Sequence, residues 1–556
     1  MASYYSSPSI RTGYQTGSKL AKWIKGIGIP LLLIGAILVG ILQIQAPQAV
    51  GPDAPLTEFS AARAMEKVKV IAKEPHPVGS PAHAEVRDYL MAELKGLGLH
   101  PEIQEIVALD RHDQSWTLEN IMVRIPGTDN SKALMIAAHY DSVPTAPGAA
   151  DDGAAIAAML ETVRALQGSG PLRNDLIVLM TDGEELGMLG AREFMNEHPW
   201  AKEVGLVFNF EARGNKGPSF MFETSDQNGW IVKEFIKAAP QPIAYSLVYN
   251  VYKLMPNDTD LTMFRAGGLA GLNFAFGMGL NSYHTMLDTP ENLDLASLQH
   301  HGEYMLSLTR HFGDLDLNQP EMQQENRVYF NVFGWKMVSY PESWGIGLMI
   351  FAGILFTVTL WYGMYHRRIN FKGLVGGFMI TLLSLAAAGG VITLAWSLLR
   401  SNMPADQYEA TVTDPGISIY YFIGLLVFTV VMNLLLVRWI SRYIRAENLW
   451  AGTLLLWFLL CVLTTLYLPG GGYLFIWPLL FSLVGLNLSF RMEQGAWTWV
   501  SALFAIPGLI LFTPILYLVY MMMTLDVAGI LFTVAALALS LIFPVCCRAV
   551  KNRRWA

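Results

Sequence analysis

The chain has 556 residues, enough for several domains on length alone. Hydrophobic residues make up 53% and the mean hydropathy is +0.35, which excludes an ordinary soluble protein and predicts membrane spans. The net charge of -7 is uneven: residues 50–320 carry 20 Lys and Arg against 36 Asp and Glu, a sign opposite to what a nucleic-acid partner requires.

Residues 1–26 read as a cytoplasmic segment with Arg11, Lys19, Lys22 and Lys25 and no acid. The apolar run that follows, within 27–46, is long enough for a transmembrane signal anchor, and the basic residues before it favour a cytoplasmic N-terminus. Residues 50–320 read as one α/β domain on the non-cytoplasmic side. Helical periodicity covers 56–73, 82–97, 154–166 and 186–196, and short apolar strands are expected at 120–125, 133–138, 176–181, 205–210 and 219–222. Such alternation predicts a mixed, largely parallel sheet with helices on both faces, a three-layer arrangement. The cysteines, Cys461, Cys546 and Cys547, all lie outside it, so this domain has neither a disulfide framework nor thiolate metal ligands.

A junction at 321–344 leads to seven further apolar runs within 345–546, and 547–556 is a basic tail. With the anchor this makes eight spans in contact with lipid. Basic loops at 366–372 and 438–445 alternate with loops carrying Asp406, Glu409, Asp414 and Asp526, which places both termini in the cytoplasm. No Asp, Glu, Lys or Arg stands in the middle of a span, so an anchoring role is favoured over transport. The absence of cysteines outside the membrane favours a bacterial inner membrane, although Asn257-Asp-Thr259 is a glycosylation sequon.

The chemistry gathers at strand ends. His139 and Asp141 follow one apolar run, Asp151-Asp152-Gly153 precedes a helix, and Glu184-Glu185 follow the run 176–181. Glu211 closes another strand, and His284 and Asp288 follow the apolar stretch 271–276. In an open α/β sheet these are the positions from which residues meet at one edge. Imidazole and carboxylate donors without thiolate suit zinc, with manganese or cobalt as alternatives, and two metals sharing a carboxylate would polarise a carbonyl and generate hydroxide at neutral pH.

In order, His-x-Asp, Asp-Asp-Gly, Glu-Glu, Glu and His-Thr-x-x-Asp-Thr resemble the co-catalytic zinc aminopeptidase family. The family includes bacterial leucyl aminopeptidases and glutamate carboxypeptidase II. The multi-pass endoplasmic-reticulum and vacuolar membrane metallopeptidases in it are the nearest in architecture. The resemblance implies a membrane-anchored exopeptidase with two zinc ions, most simply an aminopeptidase acting on peptides. It implies His139 and Glu211 on one ion, Glu185 and His284 on the other, and Asp151 between them, with a cis peptide to Asp152. Glu184 would activate the attacking water as general base, and Asp141 and Asp288 would orient His139 and His284. Tyr283 would steady the oxyanion. Arg213, Asn257, Asp258 and Arg265 could meet a substrate terminus. A carboxypeptidase, a dipeptidase, a glutaminyl-cyclase-like enzyme and a catalytically silent membrane receptor or scaffold remain open on the same residues.

Overall fold

A computed structural model describes residues 13–546 apart from 130–131, 320–321, 335 and 493–496. Residues 1–12 of the N-terminal segment and all of the basic tail therefore lie outside the described residues. Seven strands form one sheet: β1 (Glu102–Leu109), β2 (Ser115–Ile125), β3 (Ala133–His139), β4 (Asp175–Thr181), β5 (Val204–Ala212), β6 (Phe220–Thr224) and β7 (Ala270–Phe276). Their order is β1-β2-β4-β3-β5-β7-β6. The four central strands β4, β3, β5 and β7 run parallel, and antiparallel strands flank them on both sides. The expected mixed, three-layer fold is thus present.

The layering follows from alternation along buried strands. Leu134, Ile136 and Ala138 of β3 pack on one face against the helices Ala61–Ile71, Gly153–Gln167 and Leu295–Gly313. Met135 and Ala137 pack on the other against Leu189–Glu197 and Asp260–Ala266. β3 and β4 are buried along their whole length, which explains their unbroken apolar sequence. The helix expected from residue 56 begins at Ala61, because Ser60 is extended and its hydroxyl accepts from the Arg63 N–H, a capping bond that sets the first turn. The helix expected from 186 begins at Leu189, after Met188 takes a left-handed conformation. There Gly190 lies against the Asp182 carbonyl and the Asn120 side chain, with no room for a Cβ.

The switch point of the sheet lies between β3 and β5, where the chain reverses its direction of winding. Ala137 pairs with Asn209, so His139 and Glu211, two residues further on, leave the sheet side by side.

Beyond the hairpin β8 (Arg327–Phe333) and β9 (Lys336–Pro341), the chain is almost wholly apolar helix. Among the described residues, five helices are long and apolar enough to cross a membrane: Trp344–Tyr365, Phe371–Ser401, Pro415–Ile440, Ala446–Tyr467 and Trp497–Met523. Of the other three expected spans, Tyr473–Ser489 and Leu525–Ser540 are apolar helices of 17 residues or fewer, and the apolar stretch Gly26–Leu42 is the second half of the helix Gly13–Leu42. At 1.5 Å rise per residue, Tyr473–Ser489 and Leu525–Ser540 each cover at most about 25 Å, below the roughly 30 Å hydrocarbon core of a bilayer. Length and composition therefore support five spans rather than eight.

The helical part is joined to the sheet by more than the chain. The turn Pro469–Gly471 abuts the helix Ser246–Tyr252. The Ser246 hydroxyl donates to the Gly470 carbonyl at 2.6 Å, and the Gly470 N–H donates to Asn250 Oδ1 at 2.8 Å. A Cβ at Gly470 would press on both partners, so glycine is the residue that permits this approach. Phe330 stacks on Tyr473 at 4.2 Å beside it.

Candidate metal centre

The carboxyl ends of β3, β4 and β5 and the loop after β7 bring the singled-out residues together. Asp151 is at the middle. Its Oδ1 lies 3.3 Å from His139 Nε2 and its Oδ2 lies 3.2 Å from His284 Nε2. Glu211 Oε2 stands 3.7 Å from His139 Nε2, and Glu185 Oε1 stands 3.1 Å from His284 Nε2. Three three-residue groups result, His139–Asp151–Glu211, His139–Glu184–Glu185 and Asp151–Glu185–His284, and the first and last share the Asp151 carboxylate. The peptide between Asp151 and Asp152 is cis.

These groups fit divalent cations by an observation independent of spacing. Glu185 Oε1 and His284 Nε2 are buried atoms without a hydrogen-bond partner, although they face each other. Buried polar atoms are normally paired, and an ion held between them would satisfy both. The cluster also concentrates anionic side chains where water is excluded. Burial, and then the Glu211 carboxylate, holds the Glu184 carboxyl well above its ordinary range. Burial does the same to Glu211 and to Asp152. Burial opposes charge on His284, but the adjoining Asp151 and Glu185 carboxylates outweigh that and raise its pKa to about 10. Cations would replace those protons.

Supporting contacts fix the donors. His139 Nδ1 lies 3.0 Å from the Asp141 carbonyl and 3.5 Å from its carboxylate, which leaves Nε2 facing the cluster. The Asp141 carboxylate also accepts the N–H groups of Glu184 at 3.1 Å and Glu185 at 3.3 Å. It thereby ties one strand end to the next. Asp288 departs from expectation: it bonds no ring atom of His284, and instead accepts the N–H groups of Ala150 at 2.8 Å and Asp151 at 3.2 Å. It holds the shared carboxylate in place through the backbone. Tyr283 stacks on the His284 ring at 3.9 Å.

Two further acids were not singled out in the sequence. Asp182, buried behind the Glu184–Glu185 loop, accepts the Glu119 N–H at 2.8 Å and pairs with His83 Nε2 at 2.8 Å. His83 in turn stacks on Tyr140. Asp260 accepts from the Thr181 hydroxyl at the end of β4, and burial raises its pKa to about 6. Asp182 follows an apolar strand as the assigned residues do, but nothing in the sequence links it to His83.

A cavity of about 390 Å³ opens from the cluster, with Asp151, Glu184, Glu211 and Tyr283 on its lining. Arg213, Asn257 and Asp258 line it as well. Arg265 does not; its guanidinium is bound to Glu223 at 2.5 Å.

Residues 120–309 match the model of a family described as Peptidase family M28. Among curated relatives, human endoplasmic reticulum metallopeptidase 1 is 27% identical over 66% of this chain and 44% of its own length. The vacuolar membrane protease of Eremothecium gossypii is 31% identical over 55% of this chain and 32% of its own. The chain thus spans less than half the length of these relatives. The resemblance drawn from the motifs is borne out by these matches. Of solved structures, an aminopeptidase from Aneurinibacillus sp. strain AM-1 matches with a TM-score of 0.39 and 14% identity, covering 49% of this chain and 99% of its own. Glutaminyl cyclases stand among the others. The relatives named are endoplasmic-reticulum and vacuolar proteins, and a bacterial inner membrane finds no support among them.

Proposed function

We propose that this chain is a membrane-held, zinc-dependent exopeptidase that shortens peptides from the amino terminus. One observation carries the reading: Asp151 offers one carboxylate oxygen to each of two histidines, and each histidine is flanked by a further carboxylate. His139, Asp151 and Glu211 would hold one zinc ion, and Asp151, Glu185 and His284 a second. So placed, the ions supply charge stabilisation for the scissile carbonyl and acidify water.

The remaining work falls to the protein. Glu184 lines the cavity without being needed as a ligand, and its carboxyl is held well above its ordinary range by burial. A carboxylate with raised proton affinity suits a base that takes a proton from the attacking water and returns it to the leaving amine. Tyr283, at the same lining, can donate its hydroxyl to the developing oxyanion. Asp258 offers a partner to a peptide's ammonium and Arg213 one to a carboxylate. The amino-terminal reading assigns the first contact. The names of the matched relatives support peptide hydrolysis, and their membrane setting supports a catalytic part held at a membrane surface. Charge alternation between the loops supports a catalytic part on the non-cytoplasmic side.

The test is digestion of a peptide library by the purified full chain, with and without chelator, reading which terminus shortens. Loss of amino-terminal residues that stops with chelator is expected. Glu184→Gln should retain metal and lose about 10²–10⁴-fold in kcat. Near-normal turnover by that variant removes the assigned base, and shortening from the carboxyl end transfers the reading to a carboxypeptidase.

A further inference from the structure

The cavity at the metal centre is not enclosed by the catalytic part alone. Ile515, Leu518, Val519, Met522 and Met523 of the helix Trp497–Met523 form one of its walls. Their spacing places them on a single helical face. That helix is one of the five able to cross a membrane. Leu247, Val248 and Val251 of the helix Ser246–Tyr252 and Phe220 and Phe222 of β6 line the cavity as well. The acids Asp151, Glu184 and Glu211 line the same space, so a group bound at the metals extends directly into an apolar chamber. Two of the lining elements are tied together, because Gly470 bonds to Ser246 and Asn250 and joins the Ser246–Tyr252 helix to the helical part.

We infer that this chamber is the specificity pocket, and that its membrane-helix wall selects peptides whose first residue is large and apolar. The inference rests on the exopeptidase reading and adds the substrate class. A chamber of about 390 Å³ falls in the range of small-ligand sites and exceeds the need of a Gly or Ala side chain. Its wall includes Met522 and Met523, whose unbranched thioethers adapt to rings and branched chains alike. A small first residue would leave the chamber partly filled and forgo the burial that a Leu, Phe or Trp side chain gains. Discrimination in apolar pockets runs at about tenfold or more per methylene.

The experiment compares peptides identical except for a first residue of Gly, Ala, Leu, Phe or Trp, using the purified full chain in detergent. Expected is a kcat/KM for Leu, Phe and Trp about tenfold or more above that for Gly and Ala. In Val519→Trp, which fills the chamber from the membrane side, this ratio collapses. Leu503→Trp, at an exposed position on the same helix, leaves it unchanged. A second measurement does not depend on turnover or on tolerance of a tryptophan. In the full chain carrying Glu184→Gln and Met522→Cys, the peptide beginning with Phe slows maleimide labelling at 522, whereas the peptide beginning with Gly does not. Equal rates for all first residues, or a preference that Val519→Trp leaves intact, overturn the inference. Equal labelling with both peptides overturns it too. If no peptide is shortened at all, the exopeptidase reading falls, and the labelling result alone decides whether the membrane helix walls a binding site for apolar groups.

Discussion

At the scale of single residues, the site is built from side chains that reach it by different routes and depend on neighbours to stay there. His139 is aimed by Asp141, whose carboxylate also ties down the backbone of Glu184 and Glu185. Asp288 does the same for Asp151 through two N–H groups. Tyr283 has no such tether; it stacks on His284 and lines the cavity. If its hydroxyl serves the oxyanion, Tyr283→Phe lowers kcat by about 10²-fold with little change in KM, a split that steady-state kinetics reads directly. An unchanged kcat assigns Tyr283 to ring packing only. The residues that meet at the cluster were legible in the sequence because each stands just past an apolar run or just before a helix, where an α/β sheet presents its chemistry. The partner of Asp288 was not legible. Its bonds run to a loop more than a hundred positions away, and proximity to His284 in the sequence suggested the wrong one. The pairing of Asp182 with His83 was hidden for the same reason.

At the scale of elements, the central strands were readable because burial on both faces leaves continuous apolar sequence. β1 was missed because it is an edge strand with Ile103, Val107 and Leu109 exposed among acids, so no clean alternation marks it. The helix Leu295–Gly313 carries a consequence for pH. His300 and His301 on it are fully buried, and burial lowers their pKa values to about 4 and about 3. In the unfolded chain the same rings titrate near 6.5. Between those values the unfolded state binds more protons, so stability is complete above about pH 6.5 and falls as the pH is lowered. By pH 5 the loss is roughly 2 kcal/mol for each ring, at about 1.4 kcal/mol per unit. The raised carboxyls of Glu184, Glu211 and Asp152 act in the opposite sense in a chelator-treated chain, so the test is differential. From pH 7 to pH 5 the thermal midpoint of the parent should fall relative to that of His301→Phe, which keeps the ring contacts with Phe210 and Phe276. An equal slope in the variant contradicts the assignment.

At the scale of the whole molecule, the chain joins an acidic α/β part to an apolar helical part through a tight contact at Gly470, and the two share one cavity. Charge and hydropathy made the division of labour legible. The sharing was not, because no local pattern connects the face of Met522 to Glu184; only folding brings them to one space. The central claim is that five distant side chains hold two cations through a common carboxylate, and metal analysis of the purified full chain tests it most directly. Two zinc ions per chain are expected. Asp151→Ala should lose both and melt at lower temperature, since it removes the shared donor and leaves His139 and His284 unpaired in a buried cluster. A chain that binds no divalent cation, or whose zinc content is untouched by Asp151→Ala, contradicts the account.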